Sequence, residues 1–166
     1  LPEGKRYEIV GGELYVVPSP GYDHQRVSRN LETLLWQFVR ERGLGEVLHA
    51  PLDVVLSEED VVQPDILYVS AARRGIITEK HIRAAPDLVV EILSPSTAER
   101  DRTLKEKTYH RFGVREFWVV DPEARTIEVR SWDEGGFRTV QVYPEGSVLR
   151  SPLLEGLAIP VSEVFA

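Results

Sequence analysis

A single mixed α/β (α+β) domain is the architecture this sequence predicts, and three observations carry that expectation. The periodic segments run hairpin, helix, several strands, helix, strands, which is not a regular β-α-β alternation. Residues 87–93 (Asp-Leu-Val-Val-Glu-Ile-Leu) are apolar on both faces and read as a central strand covered on two sides. A chain of 166 residues with 42% apolar content can bury one sizeable core, and no linker or repeat divides residues 1–166.

The elements follow in order. Residues 7–10 and 13–17 flank Gly11-Gly12, a two-residue hairpin signal. Ser19-Pro-Gly21 breaks the chain, and a helix is predicted from about residue 22 to 42. Val27, Leu31, Leu34, Leu35, Phe38 and Val39 form its apolar stripe, and Gly43 stops it. Short strands are expected at 46–50, 52–56 and 66–69, separated by Pro51 and an acidic turn at 57–60. A polar, partly helical connection leads to the central strand. Ser94-Pro-Ser-Thr97 interrupts, and a second helix covers roughly 98–112, ending at Gly113. Residues 116–120 read as another buried strand closed by Asp121-Pro122, and 126–131 with 137–142 as a terminal hairpin.

Glu91 is out of place in this pattern. Leu88, Val90 and Ile92 share one face of the central strand and Val89 and Leu93 the other, so the carboxylate lies among apolar neighbours. Left unpaired it would cost several kcal/mol, so it must be protonated, paired or bound to a cation. Asp87 shares its face but lies about 13 Å away along a strand rising about 3.3 Å per residue, too far to share one ion. Asp121 reads as a turn, Asp60 as a solvated loop residue, and Asp53 as a weak third ligand. Asp65 opens a strand that could pair beside Glu91, and neighbouring strands about 4.8 Å apart let two carboxylates converge on one cation. With no cysteine in the chain, a metal here would be a hard ion such as Mg²⁺ or Mn²⁺.

The second helix repeats the anomaly. Asp101, Lys105, Thr108, Tyr109 and Phe112 fall on one side, which places an ammonium near the middle of the sheet-facing surface. An exposed Asp101–Lys105 pair worth about 0.2–0.5 kcal/mol is the plain alternative. His24 begins the first helix on its apolar side, where a structural imidazole is the default. Trp36 lies opposite the stripe and marks a partner surface.

The net charge of −7 argues against a general coat for nucleic acid, although two basic groups stand out. One comprises Arg73, Arg74, Lys80, His81 and Arg83; the denser one comprises Arg100, Arg102, Lys105, Lys107, His110, Arg111 and Arg115. Together they allow a local basic rim around an acidic site. No apolar run reaches the length of a membrane span and no signal-peptide pattern opens the sequence, so a cytoplasmic protein without membrane contact is expected.

Four segments carry a resemblance: Gln63-Pro-Asp-Ile66, Pro86-Asp-Leu-Val-Val-Glu-Ile-Leu-Ser-Pro-Ser-Thr97, Asp101-x₃-Lys105-x₃-Tyr109 and Gly113-Val-Arg-Glu-Phe-Trp-Val-Val-Asp-Pro122. The Tyr7-Glu-Ile-Val-Gly-Gly-Glu-Leu14 opening, His24-Gln25 and Pro-Leu-Leu-Glu-Gly-Leu157 extend it over nearly the whole chain. Together they resemble the bacterial Uma-type restriction endonucleases, a branch of the PD-(D/E)XK nuclease superfamily. The resemblance implies a restriction-endonuclease-like central mixed sheet flanked by helices, with hairpin additions at both ends. It implies Asp65 as the first motif aspartate and Glu91 at the (D/E) position. The superfamily's lysine would stand at residue 93, which is Leu93, and the helix position Lys105 takes its place. Asp65, Glu91 and the Ile92 carbonyl would bind Mg²⁺ or Mn²⁺, with Lys105 beside the scissile phosphate and His24, Asp101 and Tyr109 as accessory groups. DNA is the expected substrate and a homodimer the simplest assembly. A non-catalytic nucleic-acid-binding or assembly module that keeps Asp65, Glu91 and Lys105 as an ion-pair network is the rival, and a metal-dependent hydrolase of another phosphodiester, such as RNA or a flap structure, is a third reading.

Overall fold

The computed structural model describes residues 4–95 and 99–166, with residues 99–101 described by their backbone alone. The elements are β1 (Arg6–Val10), β2 (Glu13–Val17), α1 (Tyr22–Glu41), β3 (Gly45–His49), β4 (Asp53–Ser57), β5 (Asp60–Val62), β6 (Ile66–Ser70), a 3₁₀ turn (Ala71–Ile76), β7 (His81–Ile82) and β8 (Leu88–Ile92). They continue with α2 (Glu99–Arg111), β9 (Glu116–Asp121), β10 (Thr126–Asp133), β11 (Gly136–Pro144), β12 (Val148–Leu149), β13 (Ile159–Pro160) and α3 (Val161–Val164).

The strands form a six-stranded sheet in the order β11-β10-β9-β8-β6-β3 and a five-stranded sheet in the order β2-β1-β5-β4-β7, beside the small β12-β13 pair. In the larger sheet β8 and β9 are parallel and every other pairing is antiparallel. The parallel pair is possible because α2 carries the chain between the two strands, as a parallel connection requires.

Alternation along β8 sorts its side chains onto two cores. Leu88, Val90 and Ile92 pack with Val27, Leu31 and Leu35 of α1, and with Val161, Val164 and Phe165 at the C-terminus. Val89 packs on the opposite face with Val54, Val62, Ile82, Tyr109 and Phe117. The second core therefore lies between the large sheet on one side and the small sheet and α2 on the other, and Glu91 points into it.

Local chemistry explains the joints. Gly11 and Gly12 take φ of 59° and 81°, the conformation that a tight hairpin needs at both central positions. At Gly45, where β3 meets β6, a Cβ would stand 2.1 Å from the Val69 carbonyl oxygen, so only glycine lets the strands approach. α1 ends with Leu44 N–H donating to the Val39 carbonyl at 3.0 Å.

The acidic turn at 57–60 corrects the expectation for Asp60. It is a hairpin between β4 and β5, and Asp60, only 1% exposed, is the first residue of the returning strand. Its carboxylate accepts from Gly11 N–H (2.9 Å), Ser57 Oγ (2.9 Å) and Arg111 Nη2 (2.6 Å), joining two hairpins to the end of α2. Charge is tolerated there because the carboxylate oxygens are occupied by donors. No described helix is long and apolar enough to cross a membrane.

Candidate active site

The site is assembled by the register of β6 on β8. Ile66 lies opposite Val90 in antiparallel pairing, so the next step of the ladder sets Asp65 opposite Glu91. β6 stops there, and Asp65 Oδ2 accepts the Ile92 backbone N–H at 2.7 Å where another strand carbonyl would have done so. The other oxygen, Oδ1, lies 3.1 Å from His24 Nε2. His24 belongs to the first turn of α1, and its hydrogen bond to Asp65 raises its pKa against the opposing effect of burial. His24 Nδ1 is buried without a hydrogen-bond partner among the described residues.

Lys105 reaches Glu91 from α2. Its ammonium lies 2.7 Å from Glu91 Oε2 and 3.1 Å from Oε1, and the side chain is only 16% exposed. A third carboxylate meets it: Glu8 Oε2, from β1, stands 2.8 Å away and also accepts the Gln63 backbone N–H at 2.7 Å. The Tyr109 hydroxyl, one helical turn beyond Lys105, approaches Glu91 Oε2 at 3.5 Å.

Two carboxylates, Glu91 and Glu8, contact the Lys105 ammonium, and Asp65 stands opposite Glu91 on the neighbouring strand. Burial pushes the Glu91 pKa up to about 8, with Asp65 and Glu8 adding to the shift and Lys105 opposing it. Burial also opposes the charge on Lys105, but Glu91, Tyr109 and Glu8 outweigh it and hold its pKa well above the ordinary lysine value. Burial first, and then Glu91, push the Tyr109 hydroxyl up, so it stays a neutral donor.

A cleft of about 190 Å³ opens over this cluster, lined by Glu8, His24, Asp65, Glu91, Ile92 and Lys105 among others. Whether these groups suit a divalent cation turns on donor type and charge. Two carboxylates from adjacent strands and a main-chain carbonyl are hard oxygen donors, which favour Mg²⁺ or Mn²⁺. No three His, Asp or Glu side chains among the described residues stand as a ready-made cage. Mg²⁺ is commonly held by one or two carboxylates and keeps several waters, so the residues present fit it.

The other sequence candidates separate cleanly. Asp87 lies at the far end of β8, where it accepts Ser70 N–H at 2.7 Å and pairs with Arg73 at 3.1 Å. Asp53 is exposed and receives Gln63 Nε2, and Asp121 caps its turn through the N–H groups of Glu123 and Ala124. The Asp101 side chain lies outside the described residues. Of the basic groups, Arg73 and Arg111 are taken up by Asp87 and Asp60, while Arg102 lines the cleft, joined there by Arg6 of β1. Glu8 is the residue that the sequence reading passed over. The available signal was a glutamate inside a hairpin strand between Tyr7 and Ile9.

A mixed sheet with a parallel pair at its centre and polar groups gathered at adjacent strand ends belongs to the restriction-endonuclease-like class of nuclease folds. The chain is a member of the Uma2 family, described as "Putative restriction endonuclease", whose family model matches residues 1–162. Among solved structures it is similar to a "putative nuclease belonging to DUF820" from Anabaena variabilis, with a TM-score of 0.82 and 20% identity over 99% of this chain and 93% of that one. The type IIG restriction endonuclease BpuSI aligns at a TM-score of 0.47 and 19% identity, over 90% of this chain and 16% of that one. No curated protein matches the chain.

Proposed function

We propose that the protein is a metal-dependent endonuclease that hydrolyses DNA phosphodiester bonds, with Asp65, Glu91 and Lys105 as its catalytic residues. The observation that carries this reading is the convergence of two strand-end carboxylates and one helix ammonium on a single cleft. Membership of a family described in nuclease terms supports it.

Asp65, Glu91 and the Ile92 carbonyl would hold Mg²⁺ or Mn²⁺, which when bound supplies an acidified water and neutralises charge on the phosphate. Asp65 is kept in place by the Ile92 N–H and His24 Nε2, so its orientation does not depend on the ligand. With Glu91 engaged by the metal, the Lys105 ammonium, still held by Glu8, would be free to donate to a phosphate oxygen and stabilise the charge that grows there. Tyr109 would help orient Glu91 through its hydroxyl.

The decisive experiment incubates the protein with plasmid and oligonucleotide DNA in Mg²⁺ or Mn²⁺, beside Asp65→Ala and Glu91→Ala. Cleavage by the wild type that both variants lose supports the reading; equal nicking by all three assigns it to a contaminant.

A second reading has one observation in its favour: Lys105 is already bonded to two carboxylates, as in a purely structural ion-pair network. In that case the protein is a nucleic-acid-binding or assembly module, and no substrate is cut. We also propose a homodimer, with the 41%-exposed Trp36 as a contact.

A further inference from the structure

The form of nucleic acid that can reach these residues is set by the shape of the cleft. The polar cluster is recessed: the side chains of Glu91 and Lys105 are 12% and 16% exposed. The cleft is also lined by the exit of β2, from Val16 to Pro20, and by Arg102, Leu104 and Lys105 of α2. The volume between them, about 190 Å³, is below the roughly 300 Å³ at which pockets begin to enclose a drug-sized ligand.

A B-form duplex as a whole cannot enter a cavity of this volume. A phosphate on its surface would have to reach the recessed Glu91 and Lys105 from outside the cleft while both strands remain paired. A single strand enters differently. Its backbone would follow the polar floor, and a base turned out of the stack could lie against Val16 and Leu104, which line the cleft. The charge distribution agrees. Besides Lys105, the cleft is lined by the cations Arg6 and Arg102, on a chain whose net charge is −7. That is enough to grip a few phosphates and too little to track a duplex.

We infer that the substrate of this site is an unpaired DNA strand, as in a flap, a gap or a frayed end, and that the β1-β2 hairpin excludes intact duplex. This inference rests on the nuclease reading above and narrows it.

The test presents one labelled sequence as a single strand, as a continuous duplex and as a flap on a duplex, with wild type and Asp65→Ala, in Mn²⁺. Binding is followed in parallel by fluorescence anisotropy in Ca²⁺, which needs no turnover. Expected are tighter binding of the single strand than of the duplex, and Asp65-dependent cutting of unpaired DNA about tenfold or more faster than of duplex. Asp65-dependent cutting of continuous duplex at an equal rate, or tighter binding of duplex, would overturn the inference and leave the nuclease reading standing. Absence of Asp65-dependent cutting on all three forms would overturn both.

Discussion

Glu8 and Lys105 lie 97 positions apart in the chain and 2.8 Å apart in the fold, and their contact closes the small sheet against α2. The ammonium thus has a second carboxylate that does not belong to the large sheet. Glu8→Ala should cost about 2–3 kcal/mol of stability, because it leaves both Lys105 and the Gln63 N–H short of an acceptor. Urea denaturation checks this, and an unchanged midpoint would mean that the contact contributes nothing.

The stability of the metal-free protein should fall as the pH rises from about 4.5 to about 8. Glu91 in the folded chain keeps its proton up to about 8, whereas the unfolded chain loses it near 4.5. Between those values the native state binds the extra proton, and stability therefore declines with pH. Glu91→Gln removes this contribution, leaving those of His24 and Glu116, so its thermal midpoint should change less across the window than that of the wild type. Mn²⁺ should raise the midpoint of the wild type at pH 8 and leave the variant unmoved.

Lys105→Met should destabilise by about 3–5 kcal/mol near neutral pH, since it strands the mostly buried Glu8 carboxylate and removes the donor that holds Glu91. Adding Glu91→Gln should return part of that loss. A double-mutant cycle reads the coupling, and strict additivity would contradict a direct Lys105–Glu91 interaction. Under the nuclease reading Lys105→Met also loses cleavage, while metal binding survives.

Asp60→Ala should be among the more damaging changes outside the site, at about 2–4 kcal/mol. It removes the shared acceptor of Gly11, Ser57 and Arg111 at once. Arg111→Ala should cost less, because Gly11 and Ser57 still satisfy the carboxylate. Reversal of that order would show that the ion pair, and not the hydrogen bonding, holds the corner.

Sedimentation at micromolar concentration should show a dimer that Trp36→Glu converts to monomer. A wild type that sediments only as monomer removes the homodimer from the proposal.

Much of the scaffold could be read directly from residue pattern. The Gly11-Gly12 hairpin, the α1 stripe and the central strand around Glu91 all stand where period and turn chemistry put them. The sheet-facing position of Lys105 followed from helical periodicity alone. What periodicity could not supply was partnership between distant strands. β5 and β7 are three and two residues long, too short for any period, yet they complete the small sheet that covers the site. Glu8 was missed for the same reason. Alternation gives the side of a strand on which a residue lies, but not that the strand folds over residues a hundred positions away. Asp60 was misjudged because a run of acidic residues at a turn resembles a solvated loop until its hidden partner, Arg111, is known.

Asp65 standing in for a strand carbonyl at Ile92 ties the chemistry of the site to the bookkeeping of the sheet. A slip of one residue between β6 and β8 would turn Glu91 towards Val27, Leu31 and Leu35, burying a carboxylate where no cation can follow. It would also separate Asp65 from the N–H that holds it. The carboxylates thus act as register marks: a misaligned strand pair is penalised by the same groups that the aligned one offers to a substrate. Replacing them with apolar residues should cost specificity of folding as well as activity, leaving a chain freer to pair its central strands one step out of place.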